Sequence, residues 1–136
     1  HLEEKDVDLF DLLEEYIHCL ETDIKNGRED GRLLTAAFLF QSMKQLGYAM
    51  EARVSVSSGR ALRSGEHFIF SPAQGGVLLR SETDKVEALP IHQNSVKILR
   101  VFQEHPLKMV VRIRVSENEL REIERITHYL FEWILS

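Results

Sequence analysis

The chain has 136 residues, of which 43% are hydrophobic and 29% are charged, and its formal net charge is −5. This length and composition fit one globular domain with its own hydrophobic core, and no apolar run is long enough to span a membrane. The single cysteine, Cys19, excludes an internal disulfide and fits a reducing cytosol.

The first third of the sequence predicts two helices. Apolar residues recur every three or four positions over about 3–25, which is typical of an amphipathic helix; they are Phe10, Leu13, Ile17, Leu20 and Ile24. Asn26 and Gly27 predict its end. Asp30 is a plausible N-cap for a second helix that ends before Gly47. Because that helix is apolar on most faces, we expect it to be central, with its Met and Phe residues in the core.

Residues 52–82 are rich in Ser, Gly and Arg and contain short alternating runs. A short strand is predicted at 53–56, and two further β-like runs at 67–70 and 77–79 flank a turn-rich loop at 71–76. We therefore expect a small β-hairpin module, at about 52–82, inserted into a helical domain.

Residues 83–90 are interpreted as a linker that ends at a proline. Asn94 or Ser95 is expected to cap a short helix that ends near His105. Residues 107–115 are interpreted as a connector or a short third strand.

The last helix is predicted from a capping box, Ser116 with Glu119, followed by apolar residues at helical spacing. Its inward residues are Leu120, Ile123, Ile126, Leu130 and Ile134, with Tyr129 and Trp133 beside them. The predicted fold class is mainly α: one domain, 1–136, with a helical bundle core at 3–50 and 91–136 and the inserted hairpin.

Motifs that carry chemistry are not found in the sequence. It contains no nucleophile elbow, phosphate-binding glycine loop or dinucleotide fingerprint. Its six histidines show no metal-ligand spacing, and the neighbouring His18 and Cys19 face different sides of their helix. We therefore predict no catalytic residue, no metal and no cofactor.

One spacing in the hairpin module resembles a zinc knuckle, which needs two C-x-x-C pairs. Ser55 and Ser58, followed by Gly59, have the spacing of C-x-x-C-G with serine in place of cysteine, and Leu79 and Glu82 stand where a second pair would be. By spacing alone, an ordinary Ser-rich loop before a hairpin is the better interpretation.

Four stretches resemble the RecO family of bacterial recombination mediators, and together they cover nearly the whole chain. They are DLFDLLE at 8–14, AFLFQSMKQLGY at 37–48, FSPAQGGVL at 70–78 and VSENELREIER at 115–125. No single stretch is specific, but their order and spacing together are fairly specific. The resemblance is to the carboxy-terminal region of that family.

In the metal-binding members of the family the knuckle has four cysteines, and the resemblance puts Ser55, Ser58, Leu79 and Glu82 at those degenerate ligand positions. We therefore expect a metal-free module, as in the members that lack the cysteines. The family also has an amino-terminal oligonucleotide-binding barrel, which nothing in this sequence could form. The chain begins with His1 rather than Met, which suggests either a tag remnant on a fragment or a processed end, and we expect a fragment.

For the parent protein, the resemblance implies a bacterial cytoplasmic protein that binds DNA, anneals complementary strands and helps to load RecA. It implies RecR and the acidic tail of single-strand binding protein as partners, no membrane, and no enzymatic turnover. DNA would be bound mainly by the absent barrel, so this fragment would supply mostly partner binding.

Charge is unevenly distributed along the chain. Residues 53–114 carry 10 Lys and Arg against 5 Asp and Glu, whereas residues 1–52 carry 5 against 12. An acidic peptide that ends in an aromatic residue needs an apolar pocket with a basic rim. The candidate rim residues are Lys97, Arg100, Lys108 and Arg112, and the candidate phosphate contacts are Arg53, Arg60, Arg63 and Arg80.

The alternative is a small helical ligand-binding domain or enzyme with a cryptic site. No clustered His, Cys and carboxylate residues support it, and a deep pocket with converging titratable groups would favour it.

Overall fold

The structure, a computed structural model, describes residues 3–27, 31–84 and 87–136. It is mainly helical with a small antiparallel sheet, in agreement with the predicted fold class. In chain order the elements are α1 (Glu4–Lys25), α2 (Arg32–Gln45), β1 (Phe68–Ser71), β2 (Gly76–Leu79), a 3₁₀ turn (Arg80–Glu82), β3 (Leu89–Ile91), α3 (Gln93–Glu104), α4 (Leu107–Val110) and α5 (Glu117–Leu135).

Helix α2 is the centre of the helical core, as its sequence predicts. It contacts α1, α3, α4 and α5. Its buried apolar residues are Leu34, Ala36, Ala37, Phe40 and Met43. The Met and Phe residues of this helix therefore serve packing, and removing one large buried side chain of this kind from water stabilises a fold by roughly 1.5–3 kcal/mol.

Helix α1 packs through a different face from the one its periodicity suggests. Leu12 and Cys19 are buried, and Tyr16 stacks on Phe38 of α2 with ring centroids 4.4 Å apart. The predicted stripe lies outside the core: it is exposed at Phe10, Leu13, Ile17 and Ile24, and Leu20 is partly buried. The helix has apolar residues on two faces, and only one of them meets α2 and α4.

The helix ends agree with the sequence at most positions. Gly27 and Gly47 follow α1 and α2 with φ values of 74° and 94°, which glycine adopts at little cost. Gly31 is the N-cap residue of α2, and the predicted cap Asp30 lies outside the described residues. The capping box of α5 is confirmed, since the Ser116 N–H donates to Glu119 Oε1 at 2.7 Å and the Glu119 N–H donates to Ser116 Oγ at 3.1 Å.

The predicted caps of α3, Asn94 and Ser95, are wrong. The N-cap residue is His92 and the helix ends at Glu104. Ser95 is buried inside the first turn, and its side chain hydrogen-bonds the carboxylate of Glu122 on α5.

The sheet has the strand order β2-β1-β3, with Phe68 opposite Leu79 on one side and Ile91 on the other. The two strands of the predicted hairpin are confirmed with small shifts. The third strand lies in the segment interpreted as a linker, and its Pro90 is tolerated because an edge strand can lack one N–H.

Two further predictions of strand are wrong. Residues 53–56 form only an isolated bridge between Val54 and Ala61, because their backbone turns at 56–58 instead of continuing. For 107–115 only the strand alternative is wrong: the segment starts with the short helix α4, whose Leu107 and Val110 are fully buried, and residues 111–115 connect it to α5.

The hairpin is an integral part of the core. Phe68, Phe70, Val77 and Leu79 are buried in the main cluster. The opposite face of the hairpin is also buried, at Ile69 and Leu78. Both faces of this small sheet are therefore covered.

The free edge of β2 is covered by the segment that follows α2. The Glu51 N–H donates to Gly75 O at 2.9 Å, and the Val77 N–H donates to Glu51 O at 2.8 Å. The Val56 N–H then donates to Val77 O at 3.0 Å. These bonds attach the hairpin to the exit of α2.

Replacing Gly76 by Ala is expected to destabilise the fold by about 3 kcal/mol or more. The added Cβ would lie 2.2 Å from the carbonyl oxygen and 2.6 Å from the amide nitrogen of Glu51, so the bonded edge would have to move. Urea unfolding would measure the loss.

Gly75→Ala is the matched control. An alanine at the φ of +92° of Gly75 would be in a left-handed conformation, which destabilises the fold by about 1–2 kcal/mol. Its Cβ would meet no other atom within 4 Å. Equal losses for the two variants would contradict the close approach at Gly76.

Candidate functional site

All four degenerate ligand positions take part in a compact hydrogen-bonded cluster at the base of the hairpin. The Ser55 hydroxyl donates to Glu82 Oε1 at 2.5 Å, and the Leu79 N–H donates to the same oxygen at 2.7 Å. Ser55 is fully buried, and its oxygen accepts weaker bonds from the N–H groups of Ser57 and Ser58 at 3.2 and 3.4 Å. The Glu82 carboxylate therefore joins the loop before the hairpin to the turn after it.

The side chains at these positions do not fit a zinc ion. Protein zinc sites use thiolate, imidazole and carboxylate ligands. Here Ser55 and Ser58 offer neutral hydroxyls, Glu82 offers one carboxylate, and the Leu79 side chain packs in the core. Within the described part of the chain, no group of three or more His, Cys, Asp or Glu residues is placed to hold a metal. The likeness to a zinc knuckle stays a prediction.

The environment of Glu82 favours its charged form. Burial alone would raise the pKa of this carboxyl, but hydrogen bonds from Ser55, from Ser58 and from the Leu79 N–H outweigh that effect. The charge of Arg60 acts in the same direction as these bonds. The pKa of Glu82 is therefore held below its usual range. The ionised carboxylate is the form that accepts the hydrogen bonds of the cluster.

Three of the candidate phosphate-contacting arginines lie together. Arg60 Nη2 donates to Glu66 Oε2 at 2.6 Å, and Glu66 Oε1 accepts from the Arg63 N–H at 2.9 Å. His67 follows Glu66 in the chain, and its carbonyl oxygen accepts a hydrogen bond from the Arg80 N–H at 3.0 Å. We call this group, Arg60, Arg63 and Arg80, the arginine end of the module. Arg63 and Arg80 are exposed, and neither forms an ion pair with a described residue.

The fourth candidate, Arg53, is held elsewhere. Its guanidinium donates to both carboxylate oxygens of Glu51, at 3.0 and 3.2 Å, and Gln103 of α3 donates to the same carboxylate at 2.8 Å. Burial acts to raise the pKa of Glu51, but these bonds outweigh it and lower the pKa to about 2. Arg53 is therefore neutralised within the fold.

The four predicted peptide-rim residues do not surround one cavity. Lys97 is exposed on α3, and Arg100 Nε donates to Ala52 O at 3.4 Å. The Lys108 N–H donates to Glu15 of α1 at 3.3 Å. Only Arg112 of the four lines one of the described cavities, a groove of about 460 Å³.

A more suitable pocket lies between the end of α2 and the end of α3. This cavity of about 450 Å³ is lined by Phe40, Met50 and Phe102. Its border carries Lys44, Arg53 and His105, together with the carboxylates of Glu51 and Glu104. Gln41 joins the two helix ends, because its Nε2 donates to Phe102 O at 3.0 Å and to His105 O at 2.8 Å. We call it the α2–α3 pocket.

Sequence reasoning missed the α2–α3 pocket because its basic residues are far apart in the chain. Lys44 is in the last turn of α2 and His105 follows α3, so only the tertiary packing brings them together. The one signal that the sequence offers for this pocket is a basic residue in the last turn of an apolar helix.

The alternative of a small enzyme with a cryptic site stays untested. The titratable residues Glu51, Glu104 and His105 also line the α2–α3 pocket.

No helix in the described part of the chain is long and apolar enough to cross a membrane.

Comparison with protein families gives a match over the whole chain. The sequence profile of the family described as "Recombination protein O C terminal" matches residues 1–136. No solved structure gives a significant match.

The chain is also similar to curated proteins named DNA repair protein RecO from Dehalococcoides mccartyi. It is 28% identical over 116 residues to that of strain BAV1, an alignment that covers 85% of this chain and 44% of the relative. It is 28% identical over 92 residues to that of strain 195, covering 68% of this chain and 36% of the relative. The chain therefore spans less than half the length of these relatives.

Replacing Glu82 by Gln is expected to destabilise the protein by about 1–3 kcal/mol at neutral pH, because the charged acceptor of a buried hydroxyl is lost. Because the folded-state pKa of Glu82 is lowered, its stabilising contribution is present above the pKa of an unfolded glutamate. The contribution is lost as the pH falls through the folded value. The stability difference between the parent and E82Q should therefore shrink below about pH 4.3, as measured by urea unfolding at a series of pH values.

Glu21→Gln on the exposed face of α1 is the control and should change stability by less than about 0.5 kcal/mol. A difference between E82Q and the parent that does not vary with pH would show that the carboxylate charge does not close the cluster.

Proposed function

The chain belongs to the RecO family, as the carboxy-terminal region of these DNA repair and recombination proteins, and on that premise we propose that it is a non-enzymatic domain that binds partner proteins and DNA. The partners proposed from the family resemblance are a RecR-like mediator and the acidic tail of single-strand binding protein. The proposed role is in strand annealing and RecA loading in the bacterial cytoplasm. The proposal assigns most of the DNA binding to the amino-terminal barrel of the family.

The α2–α3 pocket is the observation that carries the partner-binding proposal. An acidic peptide tail with an aromatic end needs an apolar floor for the ring and cations for its carboxylates. Phe40 and Phe102 provide the floor, and Lys44 and His105 lie at the border. Arg53 contributes less, since Glu51 already holds its guanidinium.

The sequence-based rim, Lys97, Arg100, Lys108 and Arg112, is the second candidate for the same peptide. Its residues are mostly exposed and could attract an acidic partner without forming a pocket. For nucleic acid, the arginine end is the candidate contact, because two of its three guanidinium groups are exposed and lie outside ion pairs with described residues.

Lys44→Glu is expected to weaken binding of a short acidic peptide with a carboxy-terminal phenylalanine by about tenfold or more, which is about 1.4 kcal/mol. The change removes one attractive charge and adds a repulsive one at the border of the pocket. Fluorescence anisotropy of the labelled peptide at low salt would measure the dissociation constant.

Lys97→Glu is the matched control, since it makes the same charge change on an exposed lysine outside the α2–α3 pocket, and it should alter binding by less than twofold. If Lys97→Glu weakens binding and Lys44→Glu does not, the second candidate site is correct instead. If the peptide does not bind the unmodified chain at all, the partner-binding proposal fails.

Arg63→Ala combined with Arg80→Ala is expected to reduce the salt dependence of single-stranded DNA binding. Each lost phosphate contact lowers the slope of log K against log salt concentration by about 0.7 for single strands, so the double variant should lower it by about 1.4. Arg121→Ala combined with Arg125→Ala removes the same charge from α5 and is the control. Equal slopes for the two double variants would exclude the arginine end as the contact.

A further inference from the structure

Helix α1 presents a continuous apolar stripe to solvent. Its members are Val7, Phe10, Leu13, Ile17 and Ile24, all of them exposed. Phe10 is 56% exposed and Ile24 is 67% exposed. Single exposed apolar residues are ordinary on protein surfaces, but a contiguous patch of large ones marks an interaction site. We call these five residues the α1 stripe.

The α1 stripe has the dimensions of a helix-binding surface. Its members follow one another at intervals of three, four and seven residues, so they share one side of the helix. At a rise of 1.5 Å per residue, Val7 and Ile24 are about 25 Å apart along the axis. That length equals about five turns of a second helix lying alongside.

The stripe borders a groove formed by the neighbouring helices. Leu20 of α1 lies close to Gly31, because a Cβ added to Gly31 would be 2.9 Å from the Cδ1 methyl carbon of Leu20. The hydroxyl of Tyr16 on α1 is 2.9 Å from the hydroxyl of Thr35 on α2. Gly31 and Thr35 both line a cavity of about 500 Å³ between α2 and α5, together with Leu39 and Phe131. Tyr16 and Leu20, on the α1 face beside the stripe, therefore contact α2 next to this cavity, which is itself lined by residues of α2 and α5.

The charge of α1 restricts what can cover the stripe. The helix carries eight carboxylates and two lysines. Glu14 and Glu21 each lie four residues after a stripe member, so they border it, and neither is neutralised by an ion pair with a described residue. A second copy of the chain would bring two acidic helices together, and an anionic membrane or nucleic acid would be repelled in the same way.

We propose that the α1 stripe and its adjoining groove bind an amphipathic helix of a partner protein whose apolar face is flanked by Lys and Arg. The apolar face of that helix covers Phe10, Leu13 and Ile17, and its basic flank meets Glu14 and Glu21. This is the helix-in-groove mode of recognition, with charge complementarity selecting the partner. The surface uses different residues from the α2–α3 pocket and does not depend on the function proposed for that pocket.

The test uses a designed 18-residue helical peptide with leucines at helical spacing and lysines on both flanks, labelled for fluorescence anisotropy. Phe10→Ser combined with Ile17→Ser should weaken its binding at least tenfold, because the apolar contact is lost. Glu14→Lys combined with Glu21→Lys should also weaken it at least tenfold. The control, Asp8→Lys combined with Asp84→Lys, makes the same charge change at two exposed carboxylates that lie neither three nor four residues from a stripe member, and should alter binding by less than twofold.

Three results would overturn the proposal. The first is that a peptide with the same leucines, but with glutamates on both flanks, binds with the same affinity as the lysine peptide. Another is equal binding of the lysine peptide to the two charge-reversed variants, with circular dichroism showing both folded. The third is self-association of the free chain in analytical ultracentrifugation that the Phe10 and Ile17 substitutions abolish, which would assign the stripe to a second copy.

Discussion

The backbone of Glu51 lies against Gly76 so closely that no side chain fits at position 76. Two backbone hydrogen bonds hold this contact, and they fix the segment that leaves α2 onto the edge of β2. The side chain of Glu51 points the other way, to Arg53 and to Gln103 of α3. One residue thus ties the central helix, the sheet and α3 together. Glu51 also lines the α2–α3 pocket, together with its neighbours Met50 and Arg53.

The sequence is informative wherever local chemistry decides the structure. The long helices, the glycines that end α1 and α2, the Ser116 capping box and the two hairpin strands all follow from spacing and residue type. The sequence is less informative where two alternative packings suit the local residues equally well. Phe10 and Leu12 are both apolar and only two positions apart, and the shape of α2 and α4 decides which one is buried. The same holds for β3, which pairs only because Phe68 and Ile69 offer it a free edge.

Charge counting along the sequence has a similar limit. The excess of basic residues over 53–114 suggests a cationic surface, but Arg53 is neutralised by Glu51, which lies outside that range, and Arg60 by Glu66. Ion pairs of this kind are made by the fold and cannot be read from composition. Few of the basic groups of the module therefore remain to attract phosphates, which is why the arginine end and not the whole module is the nucleic-acid candidate.

The cluster of Ser55 and Glu82 changes what the hairpin module depends on in the cell. A module closed by zinc and thiolates unfolds when the metal is removed or when the sulphur atoms are oxidised. A module closed by a hydroxyl, a carboxylate and a backbone N–H has no such weakness. Its degenerate ligand positions offer zinc no thiolate, and residues 52–82 contain no sulphur that peroxide could attack. For a member of a family of DNA repair proteins, this removes a dependence on the oxidants that damage DNA, and leaves acidity as the condition to which the module responds.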